Sequence, residues 1–183
     1  DLTIMEEATE FLRRLKSGEN LPLFTSCCQA WVRYVETQHP ELVNHLSSCK
    51  SPQSMMSSII KDILPKAKAA DGYTKDNIVV VSVMPCIAKK FEKEREQEKV
   101  NGIPDVDAVI TTRELGRMIK RSGILFDRLP DEEWDQDIMG DYSGAGVIFG
   151  VTGGVMEAAL RTVYFKLTGK EYGKVEFTEV RGH

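Results

Sequence analysis

The chain has 183 residues, 42% hydrophobic, 28% charged and 8% aromatic, with 24 basic against 28 acidic side chains and a net charge of −4. That is room for one domain of about 150 residues or for two small lobes. A pI ≈ 5.5 with this much apolar material excludes a disordered tail and a protein that binds nucleic acid or membranes by bulk charge.

Residues 2–16 place Leu2, Met5, Ala8, Leu12 and Leu15 at helical spacing, and Gly18 and Asn20 end that helix. Residues 21–25 read as a short buried strand running into Ser26-Cys27-Cys28, after which Trp31, Val32 and Val35 resume a helix. A short helix follows Pro40, with Leu42, Val43 and Leu46 inward. Ser51-Pro52 starts another, with Ser as N-cap and Pro in the first turn; Met55, Met56, Ile59, Ile60 and Ile63 form its predicted inner face. Residues 78–84, nearly all apolar and mostly β-branched, read as a parallel strand covered on both faces. Pro85-Cys86 breaks it, and a charged helix is predicted over 87–99. Residues 106–110 form the next strand, and Thr111 with Glu114 has capping-box spacing for a helix ending near Gly123. An acidic, irregular stretch fills 127–141. A glycine-rich passage from Gly144 to Gly154 then leads into a helix over 156–167 and a strand over 174–180. Strand–loop–helix units in series predict an α/β fold on a parallel sheet, with helices on both faces. No apolar run reaches the roughly 18 residues of a membrane span, and no signal peptide is read. The start on Asp1 and the stop at His183 make the chain read as an excerpt.

Ligands in such sheets collect beyond the carboxyl ends of the strands, where Cys27-Cys28, Pro85-Cys86 and the glycines are predicted to meet. A helix start favours thiolate at Cys27 and Cys28, although buried cysteines often serve only as core. Cys49 has no such context and reads as a packing residue. Without a Cys-x-x-Cys pair zinc is a poor fit, and Gly144-Ala145-Gly146 fails both the dinucleotide and the Walker patterns. Glu7, Glu10 and Arg14 share one face of the first helix. Ordinary surface ion pairs explain that spacing; a proton relay requires burial. Lys89, one turn after Cys86, is placed to meet an anionic ligand.

Thr25-Ser26-Cys27-Cys28 with Trp31, and Met84-Pro85-Cys86 with Lys89 and Glu92, resemble the first and second signatures of the FeFe hydrogenases. Leu2 to Ala8, Ser47-Ser48, Lys50 to Gln53, Ile110 to Leu115 and Thr152 to Ala158 extend the resemblance over essentially the whole chain, 1–183. The resemblance implies part of a two-lobed H-cluster domain that reversibly reduces protons to H2 with ferredoxin as electron partner. The H-cluster joins a 4Fe–4S cluster to a diiron subsite carrying CO, CN and a bridging dithiolate, which maturation proteins insert. Cys28 and Cys86 are implied as cluster ligands, and Cys27 as the thiol that passes protons. Lys89 is implied to bond a cyanide, with Met84, Pro85, Gln53, Phe149 and Gly150 lining the diiron pocket and Glu92 bracing the second signature. The implied proton path runs from Cys27 through Glu10, Ser47 and Glu7, with Arg14 at its outer end.

Gln29 stands where the family usually has proline. The third cysteine signature and the N-terminal ferredoxin-like domains are not found, so the isolated chain is expected to be an inactive fragment. The expected compartment is the cytoplasm, or alternatively a hydrogenosome. Alternatives are a cluster-assembly relative, a hydrogen sensor and a cluster-free thiol redox domain.

Overall fold

A computed structural model describes residues 1–133, 140–173 and 176. Its elements are α1 (Leu2–Ser17), α2 (Gln29–Gln38), α3 (Pro52–Ala67), β1 (Val81–Met84), α4 (Ala88–Glu92), β2 (Lys99–Val100), β3 (Ile103–Pro104), β4 (Ala108–Thr111), α5 (Thr112–Arg121), α6 (Gly144–Phe149) and α7 (Gly154–Thr168). They form an α/β arrangement, as expected, in two compact units: Asp1–Thr25 with Asn44–Cys49 and Asp141–His183, and Ser26–Val43 with Lys50–Gly140. The predicted strand at 174–180 lies outside the described residues but for one position, as do Asp135, Asp137 and His183. None of the described helices is long and apolar enough to cross a membrane.

In the first unit α1 packs on α7, and α6 on α7. Gly18, in the left-handed region at φ 72°, closes α1 by donating its N–H to Arg14 O at 2.8 Å. The face α1 buries differs from the predicted one. Leu2, Met5 and Leu15 are exposed, while Ile4 and Ala8 go inward together with Glu7, Glu10 and Arg14. Carboxylate and guanidinium can be buried there because they satisfy one another and nearby backbone groups. Residues 21–25 form no strand beyond one parallel bridge, Phe24 to Leu46; its bonds Phe24 N–His45 O (2.8 Å) and Ser47 N–Phe24 O (2.7 Å) fix Ser47. The residues after Pro40 form a 3₁₀ turn, Pro40–His45, with Val43 exposed rather than inward. The glycine passage bends α6 back onto α7. Gly153 adopts φ 75°, and a Cβ on Gly154 would sit 1.8 Å from Ile148 O, so α7 starts two residues earlier than predicted.

In the second unit β1 and β4 pair in parallel, Val81 opposite Ala108 through Met84 opposite Thr111. The predicted strand at 78–84 is thus shortened. It is also not covered on both faces, since Val81 and Val83 are 51% and 41% exposed on a two-stranded sheet. The charged helix predicted over 87–99 stops at Glu92. A 3₁₀ turn, Glu96–Glu98, and the β2–β3 hairpin replace its second half. The hairpin turns on Asn101 (φ 55°) and Gly102 (φ 78°), the Asn-Gly pair that suits a two-residue turn.

Helix α3 starts as expected, Ser51 accepting from Ser54 N, and the Thr111–Glu114 capping box opens α5. The inner face of α3, however, is polar: Gln53, Ser54, Ser57 and Lys61 are buried and Met56 is exposed. Lys61 donates to Pro104 O (2.6 Å) and pairs with Asp107 (2.8 Å), while Lys50 and Ser58 hold Asp105. These clamps tie the loop before β4 to α3, and they decide which side of α3 turns inward.

Candidate active site

Positions 7, 10 and 14 lie on one side of α1 because helical residues three, four and seven apart share a face. The Arg14 guanidinium donates to Glu10 Oε1 from Nη2 (2.6 Å) and Nε (3.1 Å). Its remaining donors reach the carbonyls of Asn20 (3.1 Å), Asn44 (3.0 Å) and Leu46 (2.7 Å). Glu10 Oε2 accepts from Ser47 Oγ at 2.8 Å and from Ser48 N at 2.9 Å. Burial alone raises the Glu10 pKa, but the bonds from Ser47, Arg14 and Ser48 outweigh it and hold the carboxyl below its ordinary range. Glu7 has the opposite balance. It is 2% exposed, and neither carboxylate oxygen has a hydrogen-bond partner among the described residues. Burial pushes its pKa up and the neighbouring Glu10 charge adds to that; the nearby Ser47 hydroxyl opposes the rise only in part.

One α1 face thus carries a carboxyl whose pKa is pushed up and a carboxyl whose pKa is held down, and the Ser47 hydroxyl, from outside α1, bonds to the second. Both glutamates are buried, as a relay requires. Arg14, expected at the outer end of the path beyond Glu7, bonds instead to Glu10, one turn away on α1. Cys49, read from sequence as a packing residue, stands at this cluster with Sγ 3.5 Å from Glu10 Oε2. Burial, with the Glu7 and Glu10 charges adding to it, pushes the thiol pKa up to about 11. Its position two residues after Ser47 was the available signal. Phe149, half-buried at the end of α6, and exposed Gly150 also belong to the first unit.

The cysteine signatures lie in the second unit. Cys28 is the N-cap of α2, its carbonyl accepting from Val32 N at 3.0 Å; Cys27 is half-buried and Cys28 exposed. Cys86 follows β1 and is exposed, as is Pro85, with Met84 half-buried. Lys89 on α4 is buried. Its ammonium donates to Cys27 O at 2.7 Å and to Glu92 Oε2 at 2.5 Å, joining the two signatures. Glu92 has no exposed surface and also accepts from Ser51 Oγ, Ser54 Oγ (2.9 Å) and Gln53 Nε2 (3.4 Å). The carboxamide oxygen of Gln53, a residue expected at a ligand pocket, accepts in turn from Ser82 Oγ at 2.8 Å.

The donor chemistry of the second unit fits an iron–sulfur cluster in part. Such clusters normally take four thiolates, and Cys28 and Cys86 are two exposed thiols placed at a helix start and a strand end. The family model described as "Iron only hydrogenase large subunit, C-terminal domain" matches residues 1–183. Iron hydrogenase 1 of Clostridium pasteurianum is 50% identical over 182 residues, covering 100% of this chain and 31% of that protein. The solved structure of an apo [FeFe]-hydrogenase HydA1 variant from Chlamydomonas reinhardtii matches with a TM-score of 0.84 and 47% identity, covering 100% of this chain and 45% of that one. At lower identity, the Cytosolic Fe-S cluster assembly factor NAR1 of Sclerotinia sclerotiorum is 40% identical over 122 residues, 62% of this chain and 21% of that protein. The chain thus spans under half the length of these relatives. With both cysteine signatures, the buried lysine between them and this full-length match, the chain belongs to the iron-only hydrogenase family, within the C-terminal domain of its large subunit.

Proposed function

We propose that this chain is the part of a hydrogenase catalytic domain that holds one side of the H-cluster and moves protons for reversible H2 formation, with electrons from a ferredoxin-type carrier. The observation that carries the reading is the pair of glutamates buried on one face of α1, Glu7 with its pKa pushed up and Glu10 with its pKa held down, with the Ser47 hydroxyl donating to Glu10 at 2.8 Å. A relay needs neighbouring groups that each accept and release a proton, and these two carboxyl groups stand within one helical turn of each other.

Cys28 and Cys86 hold the 4Fe–4S half through their thiolates. When bound, the H-cluster supplies the metal centre at which protons and electrons combine. Cys27 passes the proton, its main chain anchored by Lys89. Two of the three Lys89 ammonium donors are fixed by Cys27 O and Glu92, which leaves one for an anionic ligand such as cyanide. Met84 and Pro85 line the diiron pocket in this reading. Glu10 and Ser47 exchange protons with Glu7, and Arg14 stabilises the charged form of Glu10.

The test uses the full-length protein that contains this chain, reconstituted with iron and sulfide, supplied with a synthetic diiron cofactor by its maturation proteins or directly, and assayed for H2 evolution from reduced viologen. Evolution of H2 supports the reading. A protein loaded with both halves that evolves none overturns it in favour of the cluster-assembly reading, for which the NAR1 match speaks.

A further inference from the structure

The relay as read uses Glu7, Ser47 and Glu10 but has no task for Cys49. A ligand oxygen from each glutamate and Sγ of Cys49 all lie within 4.8 Å of one another, inside the first unit. Glu7 is almost wholly buried with both carboxylate oxygens unpartnered among the described residues, and Cys49 is half-buried. A buried carboxylate without a donor is costly and calls for a proton or a cation.

We propose that Glu7, Glu10 and Cys49 form a three-ligand site for a divalent cation of the zinc or cadmium class, and that its occupation arrests proton exchange at the two glutamates. The second half of this proposal rests on the relay reading above; the first half does not.

The donor set selects the class of metal. Magnesium and calcium take six or more oxygens, whereas zinc accepts one thiolate and two carboxylates, completing a tetrahedron with water. Zinc–sulfur and zinc–oxygen bonds of about 2.3 and 2.0 Å at a tetrahedral angle put sulfur and oxygen about 3.5 Å apart. Cys49 Sγ and Glu10 Oε2 already stand at 3.5 Å. Side-chain rotation of roughly an ångström brings Glu7 to the same edge length.

The charges also balance. Cys49 loses its proton to solvent as the sulfur binds, so two carboxylates and a thiolate face the divalent cation and the Arg14 guanidinium, which sum to zero. The bonds from Ser47 and Ser48 to Glu10 orient that ligand without competing for the cation.

The experiment uses the loaded full-length protein, in which Cys28 and Cys86 are engaged, titrated with cadmium and followed by the ultraviolet thiolate-to-cadmium band. Wild type is expected to gain the band, and Cys49→Ser and Cys49→Ala, with unchanged circular dichroism, to lose it. Zinc is expected to inhibit H2 evolution in wild type, with at least tenfold more zinc needed in Cys49→Ser, whose basal rate is unchanged. Equal cadmium affinity and equal band in wild type and both variants overturns the site. A Cys49-dependent band with H2 evolution unaffected by zinc supports the site and overturns the arrest, and with it the relay assignment of Glu7 and Glu10. A protein that evolves no H2 overturns the relay reading while the cadmium band still decides the site.

Discussion

The Lys89 ammonium stands 2.5 Å from Oε2 of Glu92, a carboxylate with no exposed surface, and 2.7 Å from the carbonyl of Cys27. Removing one partner of a buried ion pair leaves the other charge uncompensated, at a cost of about 3–5 kcal/mol. Glu92→Gln keeps the shape and hydrogen bonds with Ser51 and Ser54 but strands Lys89. It is expected to lower the unfolding free energy by that order, measured by chemical unfolding of the full-length protein. A loss under about 1 kcal/mol would show that the pair is not what holds the two signatures together.

Glu7 and Glu10 should give opposite pH signatures in stability. The Glu7 pKa is raised on folding, so its folded form binds a proton more tightly, and stability falls as pH rises from the ordinary value of 4.5 through the raised one. The Glu10 pKa is lowered, so its contribution is present above 4.5 and lost as pH falls through the depressed value. Glu7→Gln should therefore gain stability over wild type as pH climbs above 4.5, whereas Glu10→Gln should lose stability against wild type as pH climbs from the depressed value to 4.5 and stay lower by a constant amount above it. Denaturant midpoints across pH decide; a Glu7→Gln curve parallel to wild type refutes the assignment.

Proton transfer by a positioned side chain accelerates reactions by roughly 10²- to 10⁴-fold. Glu7→Gln and Ser47→Ala are each expected to reduce H2 evolution by about 10²-fold or more, with iron content near that of wild type. Rates within about twofold of wild type, a negligible loss on that scale, would remove either residue from the path.

In the proposed function the adjacent cysteines divide by role, and metal analysis tests the division. Cys27→Ala should abolish turnover while leaving iron near its normal content, whereas Cys28→Ala should lose iron. Iron loss in Cys27→Ala instead means that the pair is assigned backwards.

The α6–α7 corner depends on Gly154, where a Cβ would meet Ile148 O at 1.8 Å. Gly154→Ala forces the backbone apart and should destabilise the first unit by about 1–3 kcal/mol, the usual range for overpacking. Thermal unfolding measures it, and an unchanged midpoint would contradict the close approach.

The sequence by itself determined the helix starts and the family. Ser51-Pro52 and the Thr111–Glu114 box act through bonds within one turn, and Gly18 acts through its own φ, so none of them waits on the rest of the fold. The cysteine signatures were likewise legible, being contiguous. The Asn101-Gly102 hairpin was available in the same way but lay just past a charged run read as helix over 87–99, which took in its first strand residue, Lys99. Tertiary structure decided which faces go inward. On α1 and α3 the apolar stripe suggested by spacing lost to Glu7, Glu10 and Arg14, and to Gln53, Ser54, Ser57 and Lys61. A polar group can be buried only where distant partners meet it, and no periodicity carries that information. For the same reason the depth of Glu92, the partners of Glu10 and the place of Cys49 became visible only once Ser47, Ser51 and Lys89 had been brought to them.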